Sequence, residues 1–141
     1  MKEETGMSQR WTTEQANEWY ESKPWIVGCN FIPQRCINNI EIWQEYEFED
    51  VLKKSAAELK LASAIGMNSI RMVMPFYVWK FQRDGFLRRL DLFLEEAGKA
   101  GITLMPVLFD DCCGPKPSAP PRFGPQRAPV PPCPPRRRSS R

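Results

Sequence analysis

The sequence of 141 residues is 42% hydrophobic and 11% aromatic, a composition that excludes a wholly disordered chain. It holds 20 basic and 17 acidic residues, and residues 112–141 contain seven of the basic ones and none of the acidic ones. A nucleic-acid partner is not indicated, because the excess positive charge lies in a proline-rich tail rather than on a folded face.

Cysteine usage and the start of the chain exclude further classes. The five cysteines have no regular spacing and the sequence contains no histidine, so neither a metal site nor a cofactor is indicated. Residues 1–11 read as a polar, flexible leader, and no run approaches the roughly 18 apolar residues of a membrane span. We therefore expect a cytoplasmic protein with no membrane partner, while the oligomeric state stays open.

The first elements are a helix and a strand. Thr12 and Gln15 have capping-box spacing and predict a helix over residues 13–22. The apolar run at 25–30 predicts a first strand buried on both faces. The connection at 31–48 is long and rich in aromatic residues, with one helical turn at about 40–44, and we expect it to fold over the rest of the chain.

A helix, a strand and a second helix follow. Asp50 is the predicted N-cap of the first helix, with Leu52, Ala56 and Leu59 as its apolar stripe and Gly66 just past its end. Residues 68–74 predict the second strand, and an aromatic loop follows it. The second helix is predicted from residue 84, with an apolar stripe at Phe86, Leu90, Phe93, Leu94 and Ala97 and with Gly101 past its end.

Residues 102–109 predict a third strand, although Pro106 lies inside it and proline removes a donor from the sheet ladder. Strands that alternate with helices of about 15 residues indicate a parallel sheet, so the fold class is α/β. We assign residues 12–111 to this folded part. Residues 112–141 form a tail rich in proline and arginine, which we expect to be disordered.

Four segments in order resemble one family. They are residues 25–33 (WIVGCNFIP), 65–72 (IGMNSIRM), 101–111 (GITLMPVLFDD) and 123–131 (FGPQRAPVP). They resemble successive parts of cellulase-like (β/α)8 glycoside hydrolases, which are related to glycoside hydrolase families 2 and 5. The resemblance covers about residues 11–131 and implies an incomplete TIM barrel, the first three strands with their helices, since a closed barrel needs about 250 residues.

The resemblance implies hydrolysis of β-linked glycans by a retaining mechanism with two glutamates. In the family those glutamates follow the fourth and seventh strands, and no residue here corresponds to either. We therefore carry over no catalytic residue and expect this fragment to be inactive alone. Residues 132–141 resemble nothing in the family, which suggests a truncated or frameshifted product.

Polar side chains at the strand ends are candidate carbohydrate contacts. Strand alternation places Arg71 opposite the apolar Ile70, Met72 and Met74, so it should point into a barrel, and the resemblance places this arginine beside the nucleophile. A structural ion pair is the alternative. Asn30 ends the first strand and is equally an ordinary turn residue. Asp110 and Asp111 end the third strand, and since adjacent side chains point apart, a catalytic pair is not indicated.

Aromatic residues on the same side are candidates for stacking on a sugar ring: Trp43, Trp79 and also Tyr77. For each of them, packing onto the barrel rim is the simpler interpretation. The whole chain also has an alternative interpretation, a small α/β binding or adaptor protein whose proline-rich basic tail recruits a partner such as an SH3-like domain.

Overall fold

A computed structural model describes residues 10–110 and 123–126, which form a mixed α/β fold. The elements in chain order are α1 (Thr13–Glu21), β1 (Gly28–Asn30), α2 (Asn39–Trp43), α3 (Phe48–Ala64), β2 (Ser69–Met74), α4 (Phe76–Phe81), α5 (Arg83–Lys99) and β3 (Thr103–Leu108). The predicted α/β class is confirmed. The predictions for residues 1–9, for Asp111 and for most of the tail lie outside the described residues.

The three strands form one parallel sheet in the order β1-β2-β3. Asn30 pairs with Arg71 and Arg71 pairs with Met105, so the strands are in register at this level. Helices α2 and α3 connect β1 to β2, and helices α4 and α5 connect β2 to β3. Because each connection returns the chain to the same end of the sheet, the carboxyl ends of the strands lie along one edge.

Pro106 lies inside β3 without disturbing its pairing to β2. Thr103 and Phe109 donate their backbone N–H groups to the carbonyls of Asn68, just before β2, and of Met74, the last residue of β2, at 2.9 and 3.1 Å. Successive residues of a parallel strand point their N–H groups to opposite sides, so the even-numbered residues of β3 face away from β2. Pro106 occupies such an outward position, and the β2–β3 ladder therefore loses no hydrogen bond.

One face of the sheet is covered by helices and the other is open. Ile70, Met72 and Met74 are each only 1% exposed and pack in the core with residues of α2, α3 and α5. On the opposite face Arg71 is exposed, and its neighbour Met105 is 50% exposed. The predicted alternation along β2 is confirmed, and it gives the molecule an apolar inner face and a mixed outer face.

The prediction for β1 is wrong in its burial. The strand spans only three residues, all of them exposed, and Trp25 just before it is 78% exposed. The apolar run is typical of a central strand, but β1 lies at the edge of the described sheet. Helix α1 does not cover it, since α1 has no buried residue, although the predicted capping box of Thr12 and Gln15 is confirmed.

Helix α3 begins three residues earlier than predicted. Its N-cap is Glu47 in the left-handed region (φ 54°), whereas Asp50 lies in the first turn and forms ion pairs with Arg35 and Lys54. The buried stripe is rotated accordingly, with Phe48, Val51, Ser55 and Leu59 inside. The predicted glycines at the helix ends are confirmed, since Gly66 and Gly101 both have positive φ.

The helical turn predicted at about 40–44 is confirmed, and the predicted loop after β2 contains a helix that was not expected. The connection after β1 contains α2, capped by Asn38 Oδ1, which accepts hydrogen bonds from the N–H groups of Ile40 and Glu41. Ile42 and Trp43 on α2 are fully buried. The aromatic segment after β2 is not a loop but helix α4. Both connections therefore contribute to the core, and the expectation that 31–48 folds over the rest of the chain is confirmed.

Cys36, in the connection before α2, is 8% exposed, and its pKa is raised to about 11, first by burial and then by the nearby Glu41 carboxylate. The folded chain thus favours the neutral thiol more than the unfolded chain does. This stabilisation is complete below the ordinary thiol pKa of about 8.5 and is lost as pH rises through 11. We expect the stability difference between wild type and Cys36→Ala to shrink over this range in urea unfolding. A constant difference would contradict the burial of this thiol.

Candidate functional site

The carboxyl edge of the sheet contains most of the polar residues that the sequence identifies. Asn30 is the last residue of β1, Arg71 lies in the middle of β2, and Asp110 follows β3. In parallel α/β proteins, ligands bind at this edge, because the loops that follow the strands converge there. The candidate site is therefore the open face of the sheet at and above the level of Arg71.

Arg71 and Asn30 contact each other directly. Arg71 Nη1 donates a hydrogen bond of 3.0 Å to Asn30 Oδ1, and the backbone of the two strands is paired at the same position. Phe31 N–H also donates to the carbonyl of Arg71, at 3.0 Å. The amide of Asn30 thus orients the guanidinium group on the open face, which agrees with the predicted direction of Arg71.

Among the residues that the structure describes, no acid balances the charge of Arg71. Within residues 10–110 and 123–126, no ion pair joins Arg71 to a carboxylate. Its predicted alternative role in a structural ion pair therefore has no support in this part of the chain. A planar guanidinium held by a neutral amide is suited to bind a carboxylate or another oxyanion through two parallel hydrogen bonds.

Asp110 does not join this pair. Arg71 is in register with Met105, and Phe109 lies four residues further on, or about 13 Å along the strand. Phe109 has a φ of 62°, which turns the chain at this point, and Asp110 beyond it is exposed. Asp111 lies outside the described residues. The structure thus brings Arg71 and Asn30 together and places Asp110 apart from them, beyond the carboxyl end of β3.

The three aromatic candidates differ in exposure. Trp43 is fully buried on α2, where Nε1 donates to the Val73 carbonyl at 3.0 Å, so its ring presents no face to a sugar. Tyr77 is 6% exposed and also belongs to the interior. Trp79 on α4 is half-buried. Of the three, Trp79 alone retains accessible ring surface, and for Trp43 and Tyr77 the packing interpretation applies.

Trp79 belongs to an aromatic cluster that sequence reasoning missed. Its ring lies 5.5 Å from Phe76 and 5.4 Å from Phe109, centroid to centroid, and the Arg83 guanidinium lies 5.5 Å over it. Phe76 lies two residues after the end of β2 and Phe109 directly follows β3, so position after a strand was the available signal. The left-handed turn at Phe109 leaves no mark in the sequence.

A cleft lies elsewhere in the described part of the chain, between the start of α3 and the start of α5. It has a volume of about 810 Å³, an acidic rim that includes Glu45, Glu49 and Asp84, and the side chain of Arg89 in its wall. Arg89 is 4% exposed; it donates to the Trp43 carbonyl at 2.7 Å and to Gln82 Oε1 at 2.8 Å. Burial lowers the pKa of this guanidinium, with a nearby Glu45 opposing the shift. Arg89 thus joins α2 to α5, and none of the predicted sugar contacts lines this cleft.

Neither a metal site nor a membrane span appears in the part of the chain that the structure describes. No group of three or more acidic, cysteine or histidine residues is close enough to hold a metal ion there. Among the same residues, no helix has the length and apolar character needed to cross a bilayer.

Comparison with known proteins adds no family. A scan against protein-family models, a search of curated proteins and a search of solved structures each found no match to this chain.

Proposed function

We propose that this chain is the N-terminal part of a cellulase-like (β/α)8 glycoside hydrolase domain, which in complete form hydrolyses β-linked glycans. The observation that carries the proposal is the Arg71–Asn30 pair on the open face of a parallel sheet. Three of the four family-like segments, 25–33, 65–72 and 101–111, contain residues of β1, β2 and β3 in that order, which supports the proposal.

The role of Arg71 follows from its charge and its position. In the retaining mechanism one glutamate protonates the glycosidic oxygen while another attacks the sugar, and the two carboxyl groups lie about 5 to 5.5 Å apart. Arg71 projects from the face that would line the barrel, and Asn30 holds it in place. In the complete barrel its guanidinium would orient the nucleophilic carboxylate, which supplies the acid that Arg71 lacks in this part of the chain.

The 141 residues alone should not catalyse hydrolysis. No residue corresponds to either glutamate, and the face that would line the barrel is open to water. Catalysis therefore needs the remaining strands, with Arg71 and Asn30 contributing to substrate and nucleophile positioning, and Trp79 to a sugar-stacking surface at the rim.

The test uses a panel of aryl β-glycosides. We expect no hydrolysis by the chain alone and measurable hydrolysis when the remaining strands of a family member are fused to it. In the fusion, Arg71→Met should lower kcat by about 100-fold, whereas the surface variant Arg88→Met should not. Hydrolysis by the unfused chain, or a folded fusion without activity, would refute the proposal.

A second candidate function is a self-contained α/β binding or adaptor protein. It is favoured by the way Phe123 returns to pack on the core of residues 10–110, as expected for a completed fold. The two candidates differ in solution behaviour. A cooperative, monomeric thermal transition of the isolated chain supports the adaptor, whereas a fragment with an open sheet face should aggregate or bind hydrophobic dyes.

A further inference from the structure

The segment at 123–126 returns to the fold after β3 and packs on α2. Phe123 packs against the core, and its ring lies 6.1 Å from that of Tyr77. Gly124 is buried, with a φ of 107° that a residue with a side chain adopts only under strain. The segment therefore occupies a defined place on the surface of residues 10–110.

Gln44 holds the backbone of this segment. Its side chain is 1% exposed; Oε1 accepts from Gly124 N–H at 2.7 Å, and Nε2 donates to the Gly124 carbonyl at 3.1 Å. A residue on a neighbouring antiparallel β-strand would form the same pair of hydrogen bonds with the backbone of Gly124. Because both partners are buried, loss of the Gln44 amide leaves the Gly124 N–H unsatisfied, whereas the Gly124 carbonyl keeps the bond that Gln126 Nε2 donates at 3.2 Å.

Two other residues of the same helix face contact Gln126. Gln126 N–H donates to Glu41 Oε1 at 2.9 Å, and Asn38 Nδ2 donates to Gln126 Oε1 at 3.4 Å. Both side chains are fixed by other bonds, since Asn38 Oδ1 caps α2 and Glu41 Oε2 accepts from Ile37 N–H at 2.7 Å. Residues 38, 41 and 44 are spaced by three, so they lie on one side of α2.

We propose that this face of α2, together with Tyr77, is a peptide-binding groove that recognises the pattern Phe-Gly-Pro-Gln, and that the chain's own residues 123–126 occupy it. The ring of Phe123 packs beside Tyr77. Gly124 adopts a positive φ and pairs its backbone N–H and carbonyl with the side chain of Gln44. Gln126 forms hydrogen bonds with Asn38 and Glu41. Residues 111–122 connect β3 to the groove, and 12 residues span at most about 40 Å.

The test is hydrogen exchange of the full chain, combined with limited tryptic cleavage after Arg122, the residue just before the groove. In wild type the amides of Gly124 and Gln126 should exchange slowly and the Arg122–Phe123 bond should resist cleavage. Gln44→Leu, which keeps the size and removes the amide, should raise both rates at least about tenfold. The matched control is Gln34→Leu, an exposed glutamine in the same connection, which should leave both rates unchanged.

A second variant covers the case in which Gln44→Leu does not fold. Gly124→Val should release the segment while leaving α2 intact, and the free peptide Pro-Arg-Phe-Gly-Pro-Gln-Arg should then bind to this variant and not to wild type. Unchanged exchange in folded Gln44→Leu, or no peptide binding to folded Gly124→Val, would overturn the proposal. Protection that falls on dilution of wild type would show that a second copy supplies the segment, which also overturns it.

Discussion

Gly28→Ala should destabilise the chain by about 3 kcal/mol, a loss at the upper end of ordinary single substitutions. A Cβ atom at this position would lie 2.0 Å from the carbonyl oxygen of Ser69, far inside contact distance. The neighbouring atom is backbone in β2 and not the end of a flexible side chain, so the two strands must move apart. Urea unfolding measures the effect, and the loss of the β1–β2 pairing should also release the Asn30 contact to Arg71.

The matched control is Gly98→Ala in α5, where an added Cβ meets nothing within 4 Å. Alanine favours the helical conformation over glycine, so this variant should be more stable than wild type by up to about 1 kcal/mol. Opposite signs for the same chemical change would show that the effect at Gly28 comes from the close approach of the strands. Equal stability of Gly28→Ala and wild type would contradict this approach.

Trp43→Ala should cost about 3 to 5 kcal/mol, the range for removing a large buried aromatic side chain. Its ring lies 5.7 Å from that of Phe86 and 5.3 Å from that of Phe93, so its removal leaves a cavity between α2 and α5. It also leaves the Val73 carbonyl without the donor that Nε1 supplies at 3.0 Å. Trp43→Phe should cost less, because it fills most of the cavity.

Trp79→Ala is the control for Trp43, since Trp79 is the half-buried tryptophan of the same predicted set. We expect a cost of about 1 to 2 kcal/mol, because part of the ring already contacts water. In the fusion with the remaining strands of a family member, Trp79→Ala should reduce the free energy of sugar binding by more than it reduces the free energy of unfolding. The reverse order of stability between the two alanine variants would contradict the burial described for Trp43.

Sequence patterns predicted the helices and the central strand well because their signals are local. The capping box of α1, the glycines that end α3 and α5, and the alternation along β2 each depend on residues a few positions apart. Burial at the sheet edge is not local. The run at 25–30 has the composition of a central strand, and only the order of the strands shows that β1 is uncovered.

The candidate site was predicted only where its sequence signals are local. Alternation along one strand was enough to place Arg71 on the open face, but its contact with Asn30 depends on the register between β1 and β2. The favoured packing interpretation applies to Trp43, but its full burial depends on how α2 inserts into the core, which a single turn of helical pattern does not reveal. Gln44 was missed altogether, since its partner is Gly124, 80 residues further along the chain.

Pro106 has a consequence for how copies of this chain meet one another. On the free side of β3 the outward N–H groups belong to Leu104 and Leu108, and the position between them has no hydrogen to donate. A strand from another copy would thus cross a gap of roughly 13 Å between successive donors. A strand that is also anchored by its own helix can tolerate that gap. Loose edge-to-edge stacking cannot, so the proline disfavours growth of a fibril from this edge.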